Sequence, residues 1–169
     1  VILIANIHAI SKSIQKPVVV MAQKSTNANV ILKHDPHVEE VIELDKKGFF
    51  NIVNKVKSKG FDKSFIYSDS IRLYLITKFS GISQNFHYKF FSKKRKNFFK
   101  AAKLFTENII SAEINTQSKI YCNINEVENA RKKFVITNKT KNIIFAPSAS
   151  GLTKRWDIKN YIKLFENIN

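Results

Sequence analysis

The densest run of residues able to hold an anion lies near the C-terminal end, Pro147-Ser148-Ala149-Ser150-Gly151 followed by Thr153 and Lys154. A loop of Ser, Ala and Gly lets backbone N–H groups come close to a phosphate. The hydroxyls of Ser148, Ser150 and Thr153 add donors, and Lys154 supplies a fixed charge. Ahead of the loop, Asn142-Ile143-Ile144-Phe145-Ala146 is a short apolar run, so the order reads strand, tight loop, helix. The same hydroxyl residues would serve equally as ordinary helix caps, and spacing alone leaves both readings open.

A second concentration of chemistry is cationic. Between 86 and 103 stand seven basic residues (Lys89, Lys93, Lys94, Arg95, Lys96, Lys100 and Lys103) and no acidic one, interleaved with Phe86, Tyr88, Phe90, Phe91, Phe98 and Phe99. Phe98, Ala102, Phe105 and Ile109 fall on one helical face, which fits a packed helix with its lysines in water. The segment from Lys89 to Lys103 also suits an anionic membrane surface or phosphoglycan, or single-stranded nucleic acid stacked on its aromatics. Across the chain, 29 Lys+Arg against 13 Asp+Glu give +16, a field that attracts polyanions. Only four of the cations are arginine, and scarcity of the residue that reads bases bidentately argues against sequence-specific nucleic-acid binding. Abundant Lys, Ile and Asn also make part of the charge a matter of compositional drift.

The histidines do not assemble into a metal site on paper. His34 and His37 flank Asp35-Pro36, a turn, with no Cys or third His near to complete a tetrahedron. His8 and His87 have no recognisable Ser or Cys partner, and no nucleophile–base–orienter set is visible. No metal is expected. The single Cys122 excludes an internal disulfide and fits a reducing compartment.

These residues need elements to position them. Leu3, Ile7, Ile10 and Ile14 share a helical face, and Pro17 ends that helix. Val18-Val19-Val20-Met21-Ala22 suits a buried parallel strand. Ser25 or Thr26 is placed to cap a helix running through Leu32. Asp35-Pro36 forces a turn into a strand over 41–44. Phe49, Ile52, Val53 and Val56 trace a helix closed by Gly60, and 65–67 make the next strand. Ile71, Leu75 and Phe79 align on a helix stopped by Gly81. Strand and helix alternate in units of about 25 to 30 residues, which predicts an α/β fold, a Rossmann-like parallel sheet with helices on both faces. The polar stretch 118–141, with one amphipathic helix (Val127, Ala130, Arg131, Phe134), is the candidate connector.

Thr153-Lys154-Arg155-Trp156, with Tyr161 in the helix that follows, resembles the opening of the second domain in the ADP-heptose:lipopolysaccharide heptosyltransferases, the GT-B glycosyltransferases of family 9. His34-Asp35-Pro36-His37-Val38-Glu39-Glu40-Val41-Ile42 is similar to that family's N-P-x-V-D-E-V-I turn and strand. The resemblance implies an acceptor-side Rossmann-like domain over 1–118 lacking its first strand, a connector over 119–141, and the start of the nucleotide-sugar-binding domain over 142–169. It implies inverting transfer of heptose from ADP-heptose to a Kdo/heptose acceptor of the lipopolysaccharide inner core, with no cofactor and no metal. Ser148, Ser150, Gly151, Thr153 and Lys154 would hold the donor's diphosphate, Lys154 also stabilising the leaving group. Ser70 and Arg72, in Ser68-Asp69-Ser70-Ile71-Arg72, would face the acceptor. Trp156 would pack behind the loop.

The family's catalytic aspartate belongs to a Gly-Asp pair that would precede Val1, and most of the second domain would follow Asn169. No catalytic residue is therefore assigned, and these residues alone are expected to be inactive. The location implied is the cytoplasm, peripheral on the inner membrane of a bacterium. A basic nucleic-acid-binding or anionic-membrane-binding module without catalysis is the alternative from another class, and a GT-B transferase using another nucleotide sugar is a third.

Overall fold

The computed structural model describes residues 3–44, 48–88, 97–115, 117–137, 142–147 and 154–168. They divide into two compact units, Val1–Asn123 and Ile124–Asn169, the division falling inside the expected connector. In the first unit the order is α1 (Ile4–Ile14), β1 (Val18–Gln23), a 3-10 turn at Lys24–Thr26, α2 (Ala28–Ile31), β2 (Val38–Leu44), α3 (Phe49–Lys57), β3 (Lys63–Ile66), α4 (Ile71–Phe79), β4 (Gln84–His87) and α5 (Phe98–Ile110). The second unit contains α6 (Ile124–Lys133) and α7 (Ile158–Glu166). The chain is mixed α/β.

Both strand pairs are parallel. β1 lies on β2 in the register Val20↔Val41 and Met21↔Ile42, with an irregularity between Val18 and Val19. β3 lies on β4 with Phe65 opposite Phe86. A parallel pair cannot be closed by a hairpin, so α2 and α4 carry the crossovers. Pro17 ends α1 after Gln15 adopts the left-handed backbone (φ 55°). Gly81 (φ 80°) does the same after α4, releasing the chain toward β4.

One core joins the elements that matter for the site. Ile42 of β2, Ile52, Val53 and Val56 of α3, Ile76 of α4 and Ile82 are buried together, with Val19, Met21, Leu44 and Leu73 packed around them. Burying each such aliphatic side chain stabilises the fold by roughly 1.5–3 kcal/mol. Ser80 Oγ shares its proton between Ile76 O (2.7 Å) and Val53 O (3.1 Å), fixing the end of α4 to α3. α1 packs on α5 and on β1. Tyr67, just past β3, reaches α5: its hydroxyl lies 2.6 Å from Thr106 Oγ1, which itself donates to Ala102 O, so the tyrosine is the donor. Burial pushes the Tyr67 hydroxyl up to about 12.

Several expectations need correction. In α4 the aligned residues Ile71 and Phe79 are exposed, and the buried side is Ile76 and Thr77, with Leu73 toward the core. The polar residues of the helix, Arg72, Thr77 and Lys78, are spread round the axis, so its spacing did not mark one face. α1 buries Ile4, Ala5, His8, Ile10 and Ser11, while Ile14 is exposed. No side chain caps α2; Thr26 Oγ1 instead donates back to Gln23 O, and the region resolves into a 3-10 turn and four helical residues. β2 begins at Val38 rather than 41, because Val18 N–H bonds His37 O and starts the ladder earlier. Gly60 (φ 64°) follows the end of α3 by a turn, Ser58 being its cap. β4 has no counterpart in the sequence reading, since Gln-Asn-Phe-His offers one apolar residue in four.

Candidate binding cleft at the strand ends

The parallel strands of the first unit end on a cleft of about 680 Å³. β1 contributes Met21, Ala22 and Gln23, the turn after it Lys24 and Ser25, and β2 Glu43 and Leu44. Across from them stand Ser68 and Ser70 of the loop after β3 and Arg72, Leu73 and Ile76 of α4. The lining combines aliphatic side chains with hydroxyls, the two cations Lys24 and Arg72 and the Glu43 carboxylate. Such a crevice outside the carboxyl ends of parallel strands is where α/β sheets bind small ligands.

Local structure explains how Ser70 and Arg72 reach it. Ser70 N–H donates to Ser68 Oγ (3.2 Å), tightening the loop, and Ser70 O accepts from Leu73 N–H (3.1 Å) to begin α4. The Ser70 side chain makes no capping bond. Arg72, half-buried, is the second residue of α4 and lines the cleft. Behind them His87 stacks edge-on to Tyr74 (5.7 Å), and burial holds its imidazole below the ordinary value against the opposing pull of the Ser68 backbone and Asp69.

The sequence-expected anion loop fares differently. Ser148, Ser150, Gly151 and Thr153 lie outside the described residues. Residues 142–147 belong to no strand ladder, with Ile144 88% exposed, and Lys154 is exposed at a 3-10 turn. α7 begins only at Ile158 and is capped by Asp157, whose Oδ1 accepts from Lys159 N–H (3.0 Å). That carboxylate caps the first turn of α7 and sets a negative charge at its positive end. The run 142–147 does pack on α7, Phe145 against Tyr161 at 5.9 Å, and Trp156 against the same ring at 4.9 Å, so the tryptophan packs rather than points away.

The histidine-containing turn folds into a buried cluster at the opposite end of the strands. His8 Nε2 donates to Asp35 Oδ2 at 2.7 Å, both side chains under 5% exposed. Asp35 Oδ1 accepts from His37 N–H (3.0 Å), and His37 Nδ1 lies 3.2 Å from Ser11 Oγ. The two imidazoles stack at 4.5 Å with Tyr121 edge-on to both. Burial is the main reason that His37 titrates below its ordinary value, with His8 and Lys12 adding to the effect and Asp35 opposing it. Spacing along the chain could not reveal this cluster, whose members come from α1, the turn before β2 and residue 121.

Of the basic segment, 89–96 lies outside the described residues; Lys100 is exposed and Lys103 pairs with Glu107 at 3.5 Å. Among the described residues no helix is long and apolar enough to cross a membrane. Sequence reasoning passed over Lys24 and Glu43 and read Ser25 only as a helix cap. Their signal was position: each follows or ends a parallel strand. No protein-family model, curated protein or solved structure matches the chain.

Proposed function

We propose that this chain is part of a GT-B glycosyltransferase of the heptosyltransferase kind, its first unit being the acceptor-side Rossmann-like domain. The observation that supports the reading is the cleft past the carboxyl ends of β1, β2 and β3, which Ser70 and Arg72 help to line. Arg72 and Lys24 supply the charge for a carboxylate- or phosphate-bearing sugar, Ser25, Ser68 and Ser70 the hydrogen bonds to its hydroxyls. The inner-core Kdo/heptose acceptor has that chemistry. Donor binding is assigned to Ser148, Ser150, Gly151, Thr153 and Lys154, with ADP-heptose as donor and Lys154 neutralising the diphosphate as it leaves.

Calorimetric titration separates the readings. Kdo should bind with an affinity that Arg72→Ala lowers about ten-fold or more, the loss of one charge-assisted contact. ADP should bind weakly and depend on Lys154. Binding of oligothymidylate that is far tighter than either, falls steeply with salt and survives both substitutions would favour the nucleic-acid alternative.

A further inference from the structure

The histidine cluster has fixed parts and one movable part. α1, which carries His8 and Ser11, is held against β1 and α5. The turn that carries Asp35 and His37 is held as well: His37 N–H donates to Asp35 Oδ1 (3.0 Å), and His37 O accepts from Val18 N–H (2.9 Å) where the β1–β2 ladder starts. Tyr121 is attached differently. It belongs to 117–123, a stretch that forms no helix or strand and in which every other residue is exposed. Its ring lies edge-on to His8 at 5.9 Å and to His37 at 6.4 Å.

The surroundings of His37 suit its neutral form. Facing the imidazole are His8 and Lys12 from α1 and Asp35 from its own turn, while Lys119 lies over the Tyr121 ring at 4.8 Å. Both oxygens of Asp35 are engaged, Oδ2 by His8 Nε2 (2.7 Å) and Oδ1 by the His37 amide. A proton gained by His37 therefore puts a cation 4.5 Å from the His8 ring and in the field of Lys12, with the carboxylate of the cluster already committed. The charged ring carries hydrogen on both nitrogens, so Nδ1 can then only donate to Ser11 Oγ, 3.2 Å away. Burial is the largest of the influences that hold this ring below its ordinary 6.5. A ring uncovered by Tyr121 regains water and its ordinary affinity for protons. Acid thus favours the uncovered arrangement: the covered one has its full advantage above pH 6.5 and loses it as pH falls through the lower value of the packed ring.

We propose that Tyr121 seated on the His8–His37 pair is an acid-sensitive latch, which holds 117–123 against the first unit while His37 is neutral and releases it when His37 is charged. The stretch released is the chain just ahead of α6. The core, α1 and the His37 turn keep their own tethers and stay in place. The latch is independent of what the cleft binds.

Cys122, exposed and the single cysteine of the chain, stands next to Tyr121 and takes a nitroxide label on the full chain. Its electron paramagnetic resonance spectrum should show the ratio of mobile to immobile label rising about three-fold or more from pH 7.5 to pH 5, with far-UV circular dichroism unchanged. In His37→Gln the ratio should be the same at both pH values, and in Tyr121→Ala the label should be mobile at both. A ratio indifferent to pH in the unmodified chain, a response that persists in His37→Gln, or mobility gained only together with loss of helical signal overturns the latch. Should His37→Gln fail to fold, His37→Phe, which keeps a ring without a titratable nitrogen, is read in the same way.

Discussion

The two units contain similar proportions of apolar side chains and treat them oppositely. In the first, Ile42, Val56 and Ile76 are almost wholly buried; in the second no residue of α6 or α7 is buried, and Ile162 and Phe165 stay more than half exposed. Size is the physical difference. A segment as short as Ile124–Asn169 cannot cover both faces of its own helices, whereas the first unit closes a core between α3, α4 and the strands. α7 is nonetheless patterned for burial, with Ile158, Ile162 and Phe165 on one side and Lys159, Lys163 and Glu166 elsewhere. Pattern says what a helix is built to cover, and the fold says whether the cover is present.

The contrast can be broken most forcefully at the core. Ile76→Ala should destabilise the first unit by about 2–5 kcal/mol, because Ile76 is fully enclosed, while Ile162→Ala in α7 should change stability by less than about 0.5 kcal/mol. Denaturant unfolding of both variants checks this. Asp35→Ala is next in size: it strands His8 and frees the His37 amide, and should remove about 3 kcal/mol from the first unit alone.

Smaller, and directional, is the effect of acid. His37 and His87 both titrate below the ordinary 6.5 in the folded chain, mainly through burial, so unfolding takes up protons as pH falls past that value. Their contribution is complete above pH 6.5 and is lost between there and the lower folded values. Melting between pH 7.5 and 5 should drop by a few degrees, and His37→Gln with His87→Gln should flatten that part of the profile. Melting temperatures that rise on acidification would contradict the assignment.

Much of the first unit was legible because its chemistry is local. Pro17, Gly81 and the stripe Ile52, Val53, Val56 each fix a boundary or a face by themselves. β4 was not legible, since its polar residues hold a place in a ladder that only Phe65 and its neighbours define. The burial of α4 was misread for a related reason: a helix whose polar residues are spread round its axis is oriented by what packs on it. At the candidate site Ser70 and Arg72 were singled out through resemblance, while Ser25 read as a capping residue and Lys24 went unremarked; the end of β1 sets both beside the same cleft. Asp157 as the cap of α7 was equally hidden, the hydroxyl residues upstream being the more obvious candidates.

The cleft itself is the centre of the account, and mapping it by amide chemical shifts during titration with Kdo is the direct measurement. Shifts should concentrate at 23–25 and 68–73 and shrink in Arg72→Ala. Shifts absent from those segments, or unaltered by that substitution, would contradict an acceptor site at the strand ends.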